Sequence, residues 1–117
     1  MQKITDEELK AVRAKSGRGV VVLGVKNEDG VTVGDFAFKK IDRAAYAQYR
    51  ASVRLAANTG GGTGEEEQQL ARSLMVWPED KSVFDALRED APAVATSLGA
   101  ELLADADSGF SVSRDPR

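Results

Sequence analysis

Residues 20–39, VVVLGVKNEDGVTVGDFAFK, decide the fold of this 117-residue chain. β-Branched and apolar residues fill 20–26, a pattern that is typical of a strand. A cluster of turn-forming residues then ends at Gly30, where glycine tolerates the positive φ that such turns require. From Val31 to Lys39 apolar and polar residues alternate. The stretch therefore predicts a β-hairpin.

The predicted hairpin gathers large apolar side chains on one face. Phe36 and Phe38 lie on the same side of the second strand, and the hairpin places them opposite Val21 and Leu23 of the first. Because two strands alone are only marginally stable in water, helices must cover one face. We expect the phenylalanine face to be the covered one.

A short helix is predicted before the hairpin. Thr5-Asp6-Glu7-Glu8 forms a capping box, in which the Thr5 hydroxyl accepts from a helix N–H and Glu8 reaches back to the cap. The helix is expected from Asp6 to Lys15, and Gly17 and Gly19 end it. Such a short helix needs the rest of the protein for its stability.

Four further helices are predicted after the hairpin from apolar residues at helical spacing. The first runs from Arg43 to Ala57, with Asp42 as its cap and Tyr46 and Tyr49 on its apolar stripe. The other three cover 66–75, 80–90 and 92–104, and Asp90 is expected to cap the last of them. Since the strands are grouped apart from the helices, the class is α+β. We expect a short N-terminal helix and a hairpin, followed by about four helices packed as a small bundle.

The length favours one domain, which we place at residues 1–104. The glycine-rich stretch 59–64 is interpreted as a flexible linker inside it. A phosphate-binding loop is disfavoured there, because the stretch follows a helix, lacks the lysine and leads into three glutamates. The polar tail 105–117 is expected to be mobile.

Two residue types are missing from the composition, cysteine and histidine. Their absence excludes thiolate nucleophiles, Ser–His–Asp chemistry and histidine-ligated metals. No pair of carboxylates stands out for acid–base work, because every acid falls in a turn, a cap or a polar face. We therefore expect a protein that is not an enzyme and holds no cofactor or metal.

The net charge of −3 disfavours nucleic-acid binding, although the segment from Lys39 to Arg54 carries a dense group of cations with two tyrosines among them. No apolar run approaches the ~20 residues that cross a bilayer. The N-terminus has no apolar signal-peptide core. These features predict a soluble protein made in a cytoplasm, with no membrane contact.

The segment Leu74-Met75-Val76-Trp77-Pro78 holds the single tryptophan and a helix-stopping proline. It has two interpretations. The first is a buried strip that pins two helices together. The second is a partly exposed contact patch, since tryptophan and methionine are enriched where proteins meet partners.

Three parts of the chain carry a family pattern: residues 4–10, the strand running into a helix at 36–43, and the block 74–102. The last block has the most characteristic spacing, VWP…F.AL….P..A..LG.EL. In this pattern and order, about residues 1–104 resemble the small tail assembly chaperones of long-tailed bacteriophages and related prophage proteins. The glycine-rich linker departs from the family's usual connection between helices.

The resemblance implies a non-catalytic protein of the host bacterial cytoplasm. Such chaperones hold the long helical tape measure protein and keep it soluble until tail tube protein polymerises around it. A groove for amphipathic helices needs apolar seams with charged rims. We expect Met75, Trp77, Phe84 and Leu87 at or near such a groove between the last three helices. Homo-oligomerisation and a longer, frameshifted form stay open.

Two other functions remain as alternatives. One is a structural component of the tail or of the head-to-tail connector, which would be abundant in finished particles. The other is a small nucleic-acid-binding regulator that uses the cations from Lys39 to Arg54, whose binding would weaken steeply with salt.

Overall fold

The computed structural model describes residues 1–17, 19–58 and 64–106. Its elements in chain order are α1 (Asp6–Ser16), β1 (Val20–Lys26), β2 (Thr32–Lys39), α2 (Arg43–Asn58), α3 (Glu65–Leu74), β3 (Met75–Trp77), α4 (Ser82–Asp90) and α5 (Pro92–Ala106). The predicted α+β class, with a helix and then a hairpin, is confirmed. Most of the predicted linker (59–63) and most of the predicted tail (107–117) lie outside the described residues. Within them, no helix has both the length and the apolar character to cross a bilayer.

The predicted hairpin forms, with Phe36 and Phe38 opposite Val21 and Leu23 as expected and with a register shift between Val25 and Lys26. Val21 pairs with Phe38, and Leu23 pairs with Phe36. In the turn, the Asn27 side-chain oxygen accepts from two backbone N–H groups at 3.0 Å. Gly30 follows with φ = 77°, a conformation that costs glycine little. Local turn chemistry therefore fixes which side chains face each other across the two strands.

A third strand, β3, completes the sheet, whose strand order is β1-β2-β3. It runs antiparallel to β2, pairing Trp77 with Ala37 and Met75 with Phe38, with an irregularity between the two pairs. The prediction of only two strands was therefore incomplete. A strand of three residues is too short to show a periodicity, and its pairing partner lies far away in the sequence.

Both faces of the sheet are covered at its centre, rather than the single face that we expected. The phenylalanine face packs under α3, α4 and α5, where the Phe36 and Phe84 rings meet edge to face at 5.9 Å. On the other face, Ala37 lies under α1 in a cluster with Val12 and Trp77. The bundle thus forms on one side of the sheet, and the N-terminal helix covers the other.

The predicted caps of α1 and α2 are confirmed. The Thr5 hydroxyl accepts from the Glu8 N–H at 3.1 Å, and the Glu8 carboxylate accepts from the Thr5 N–H at 3.1 Å. Asp42 accepts from the Ala45 N–H at 2.8 Å. Two short polar signals in the sequence therefore set where these helices begin.

The predicted apolar stripe of α2 is only partly buried. Tyr46 is 50% exposed, and no residue of this helix is fully buried. The helix lies at the flank of α3, where the Tyr49 hydroxyl donates to the Glu67 carboxylate at 3.0 Å. Periodicity identified the helix but did not show that one neighbour alone would cover it.

The predicted cap of α5 was wrong. Asp90 is the last residue of α4, and the Ala91 carbonyl accepts the first hydrogen bond of α5, from the Ala95 N–H at 3.2 Å. α5 also continues to Ala106, two residues beyond its predicted end. A single residue between two helices leaves Asp90 in the first of them.

Gly99 sets how closely α3 and α5 approach. It is buried in α5, and a Cβ atom at this position would overlap the backbone carbonyl of Glu67 in α3. Only the missing side chain lets the two backbones come this near.

We expect Gly99→Ala to lower the free energy of unfolding by about 1–3 kcal/mol, since the added methyl group must push the helices apart. In an uncrowded helix the same change would raise stability by about 1 kcal/mol. Urea unfolding followed by the fluorescence of Trp77, the single tryptophan, measures the sign. Unchanged or higher stability would contradict the close contact.

Candidate functional site

An open groove of about 500 Å³ lies between α1 and β3. We call it the α1–β3 groove. The residues that line it are Glu8, Ala11, Val12, Lys15, Ser16, Lys39, Met75, Val76, Trp77 and Glu79. Its volume falls within the range of typical ligand pockets, which is about 300–1,000 Å³.

The floor of the groove is apolar and comes from both elements. Val12 of α1 and Trp77 of β3 are each 9% exposed, and Val76 of β3 is half-buried. The Trp77 indole N–H donates to the Glu8 carboxylate at 3.2 Å, which fixes the ring against α1. The floor is therefore preformed, with its largest side chain held in place by a hydrogen bond.

The rim carries both signs of charge. Glu8 and Glu79 supply carboxylates, and Lys15 and Lys39 supply amines. Lys15 approaches Glu79 at 3.6 Å, and both side chains are more than three-quarters exposed. Such an exposed pair contributes little to stability and can rearrange when a partner binds.

Of the four predicted site residues, the structure brings two to this groove. Met75 and Trp77 line it, although both are largely buried. Phe84 is fully buried and Leu87 is 6% exposed, and both lie in the core beneath the helix bundle. Most of the surface of the 74–78 segment is buried, in agreement with its first interpretation as a buried strip.

The depression between the last three helices, where we expected an apolar groove, is polar. It measures about 860 Å³ and is lined mainly by charged and amide side chains. Arg72 forms two hydrogen bonds to Asp85, at 2.8 and 3.1 Å. Arg88 donates to Gln68, which itself donates to the Pro92 carbonyl and the Thr96 hydroxyl. These groups already bind one another, so this depression offers no apolar seam, whereas Met75 and Trp77 line the α1–β3 groove.

The contribution of α1 to the site was not predicted from the sequence. Ala11 and Val12 line the groove, and the apolar position at Val12 was visible in the sequence as part of a narrow stripe. The third strand, β3, was not predicted, and the groove exists because α1 leaves open space beside this strand. The apolar position of Val12 could be identified from the sequence, but the strand that it faces, β3, could not.

Glu8 joins the capping box to the groove. Its carboxylate accepts from the backbone N–H of Thr5 and from the Trp77 indole N–H. The hydrogen bonding with Thr5, and to a smaller extent that with Trp77, holds the pKa of Glu8 below the ordinary value of 4.5, while burial acts in the opposite direction. Glu8 therefore stays ionised at neutral pH, and the groove offers fixed apolar surface and charges for non-covalent contact.

We expect Glu8→Gln to destabilise the protein at pH 7 but much less at pH 3. Because the folded pKa of Glu8 is lowered, its stabilising contribution is complete above about pH 4.5 and is lost as the pH falls through the folded value. Glutamine keeps the capping oxygen but carries no charge. Urea unfolding of both proteins at the two pH values measures this; an equal difference at both would contradict it.

Comparisons with known proteins bear on the fold. No protein-family model matches the chain, and no curated protein matches it. A solved structure of an uncharacterised protein from Bacillus stearothermophilus superposes with a TM-score of 0.67, at 16% sequence identity, covering 92% of this chain and 99% of that one. At this identity the likeness concerns the fold alone, and it extends over nearly the whole of both chains.

Proposed function

We propose that this chain is a non-catalytic tail assembly chaperone of a phage or prophage. In the host bacterial cytoplasm it binds the helical tape measure protein and keeps it soluble until tail tube protein assembles around it. The observation that carries the proposal is the α1–β3 groove, with its apolar floor and charged rim. The resemblance of residues 1–104 to the phage tail assembly chaperones in sequence pattern supports this choice of family.

The dimensions of the groove suit one side of an amphipathic helix. α1 has 11 residues, which corresponds to a length of about 16 Å. A partner helix of that length presents two or three apolar side chains at i, i+3 or i+4 and i+7. Val12, Val76 and Trp77 offer apolar surface to such side chains.

The modest size of this contact fits a partner that must later be released. Burying an apolar side chain contributes about 1.5–3 kcal/mol, and association has to overcome a large entropic cost. Two or three such side chains therefore give weak binding at a single groove. A long tape measure protein would then be covered by many weakly held copies, which tube subunits can displace.

Blocking the groove should abolish the holding of the partner without unfolding the protein. Ala11 lines the groove and is exposed, whereas Ala14 is exposed on the same helix and lies outside it. We expect Ala11→Arg to remove the soluble fraction of a co-expressed tape measure segment, because the new side chain fills the groove. Ala14→Arg adds the same charge to the same helix and should leave that fraction unchanged.

The measurement is the share of the tape measure segment in the soluble fraction, with circular dichroism confirming that both variants fold. A segment that is equally soluble without this chain would refute the proposed function. Equal loss with both variants would refute the groove as the contact surface while leaving the function open to another surface.

A chaperone that leaves the assembled tail should be absent from finished particles. We expect mass spectrometry of purified virions to detect tube and tape measure proteins but not this chain. Copies in the virion at the abundance of a tail component would favour the structural alternative instead.

A further inference from the structure

The outer face of α2 carries three arginines in one row. Arg43, Arg50 and Arg54 project within about 40° of one another around the helix axis and span about 16 Å along it. Tyr46 lies one turn from both Arg43 and Arg50 and is 50% exposed. We call these four residues the α2 basic face.

The arginines of the α2 basic face are exposed and lie outside the ion pairs of the described residues. Among the residues that the structure describes, none forms an ion pair or a side-chain hydrogen bond with them, whereas Arg72 is bound to Asp85 and Arg88 to Gln68. The guanidinium groups of α2 are therefore free to bind a ligand in solution.

The row is also unfavourable to the helix that carries it. Arg43 lies in the first turn of α2, which holds no acidic residue, and there it opposes the helix dipole by about 0.3–1 kcal/mol. Arg50 and Arg54 are like charges at i, i+4, which repel. The stability of α2 does not explain why the arginines form a row, whereas the binding of an external anion does explain it.

The charge along the segment that contains α2 is asymmetric, although Glu66 and Glu67 of α3 lie beside Tyr49. Residues 39–58 hold five cations and one carboxylate, a net charge of +4 in a chain whose total is −3. A basic face on an acidic protein attracts a polyanion locally, even though the composition as a whole disfavours one.

We propose that the α2 basic face binds single-stranded nucleic acid, with the arginines on successive phosphates and Tyr46 stacked on a base. Arginine matches phosphate with paired hydrogen bonds, and an exposed aromatic ring among cations provides a stacking surface for bases. A protein partner would need an apolar pocket for an anchoring side chain. Beside the arginines the helix surface is convex and carries the exposed alanines Ala44, Ala47 and Ala51, which offer no such pocket.

Fluorescence anisotropy with a labelled single-stranded DNA of 15 mixed bases tests this binding between 25 and 200 mM salt. With three phosphates neutralised, we expect log K to fall with log salt at a slope of about −2. Arg50→Gln with Arg54→Gln should reduce that slope by about 1.4. The matched control, Lys10→Gln with Arg13→Gln, removes the same charge from exposed positions of α1 and should leave the slope unchanged.

Tyr46→Ala should weaken binding roughly 5- to 150-fold, the effect of losing one stacked base. An equal effect of the control pair, or no effect of Tyr46→Ala, would overturn the assignment. So would a 15-residue poly-glutamate that displaces the DNA equally well, which would indicate an acidic protein ligand, or tighter binding to duplex DNA of the same sequence. None of these measurements involves the α1–β3 groove, so the chaperone proposal stands or falls separately.

Discussion

The fold depends on the burial of one strand on both of its faces. Phe36, Ala37 and Phe38 in β2 are all fully buried, and their side chains alternate between the two sides of the sheet. One side must therefore be covered by an apolar bundle large enough for two phenylalanine rings. On the other side only the methyl group of Ala37 has to be covered, and the single helix α1 is sufficient for this.

This unequal demand produces the groove. α1 is one short helix laid across a sheet of three strands, and β3 at the sheet's edge has only three residues. The helix buries Ala37 and fixes Trp77 through Glu8, but it does not reach across the apolar surface of Val76. The groove that we propose as the partner-binding surface thus exists because α1 is large enough to cover β2 but too small to cover the whole sheet face.

The sequence predicted what local chemistry determines. The capping box at Thr5 and the position of Phe36 and Phe38 opposite the first strand depend on residues close in the chain, and both were predicted correctly. The strand Met75–Trp77 depends on hydrogen bonds to Ala37 and Phe38, which no local pattern shows. For this reason only half of the predicted residues lie at the candidate site: Met75 and Trp77 line the groove, whereas Phe84 is buried in the core against the ring of Phe36.

Glu67 connects the bundle to α2 and so determines how the α2 basic face is held. Its backbone meets Gly99 of α5 at the closest approach of the helices, and its carboxylate accepts from the Tyr49 hydroxyl. Burial, and then this hydrogen bond, raise the pKa of Tyr49, so the hydroxyl remains a donor throughout the physiological pH range. α2 is thereby attached by its inner side alone, which leaves its arginines facing solvent. That face and the α1–β3 groove share no element, so the two proposed binding sites are separate in the structure.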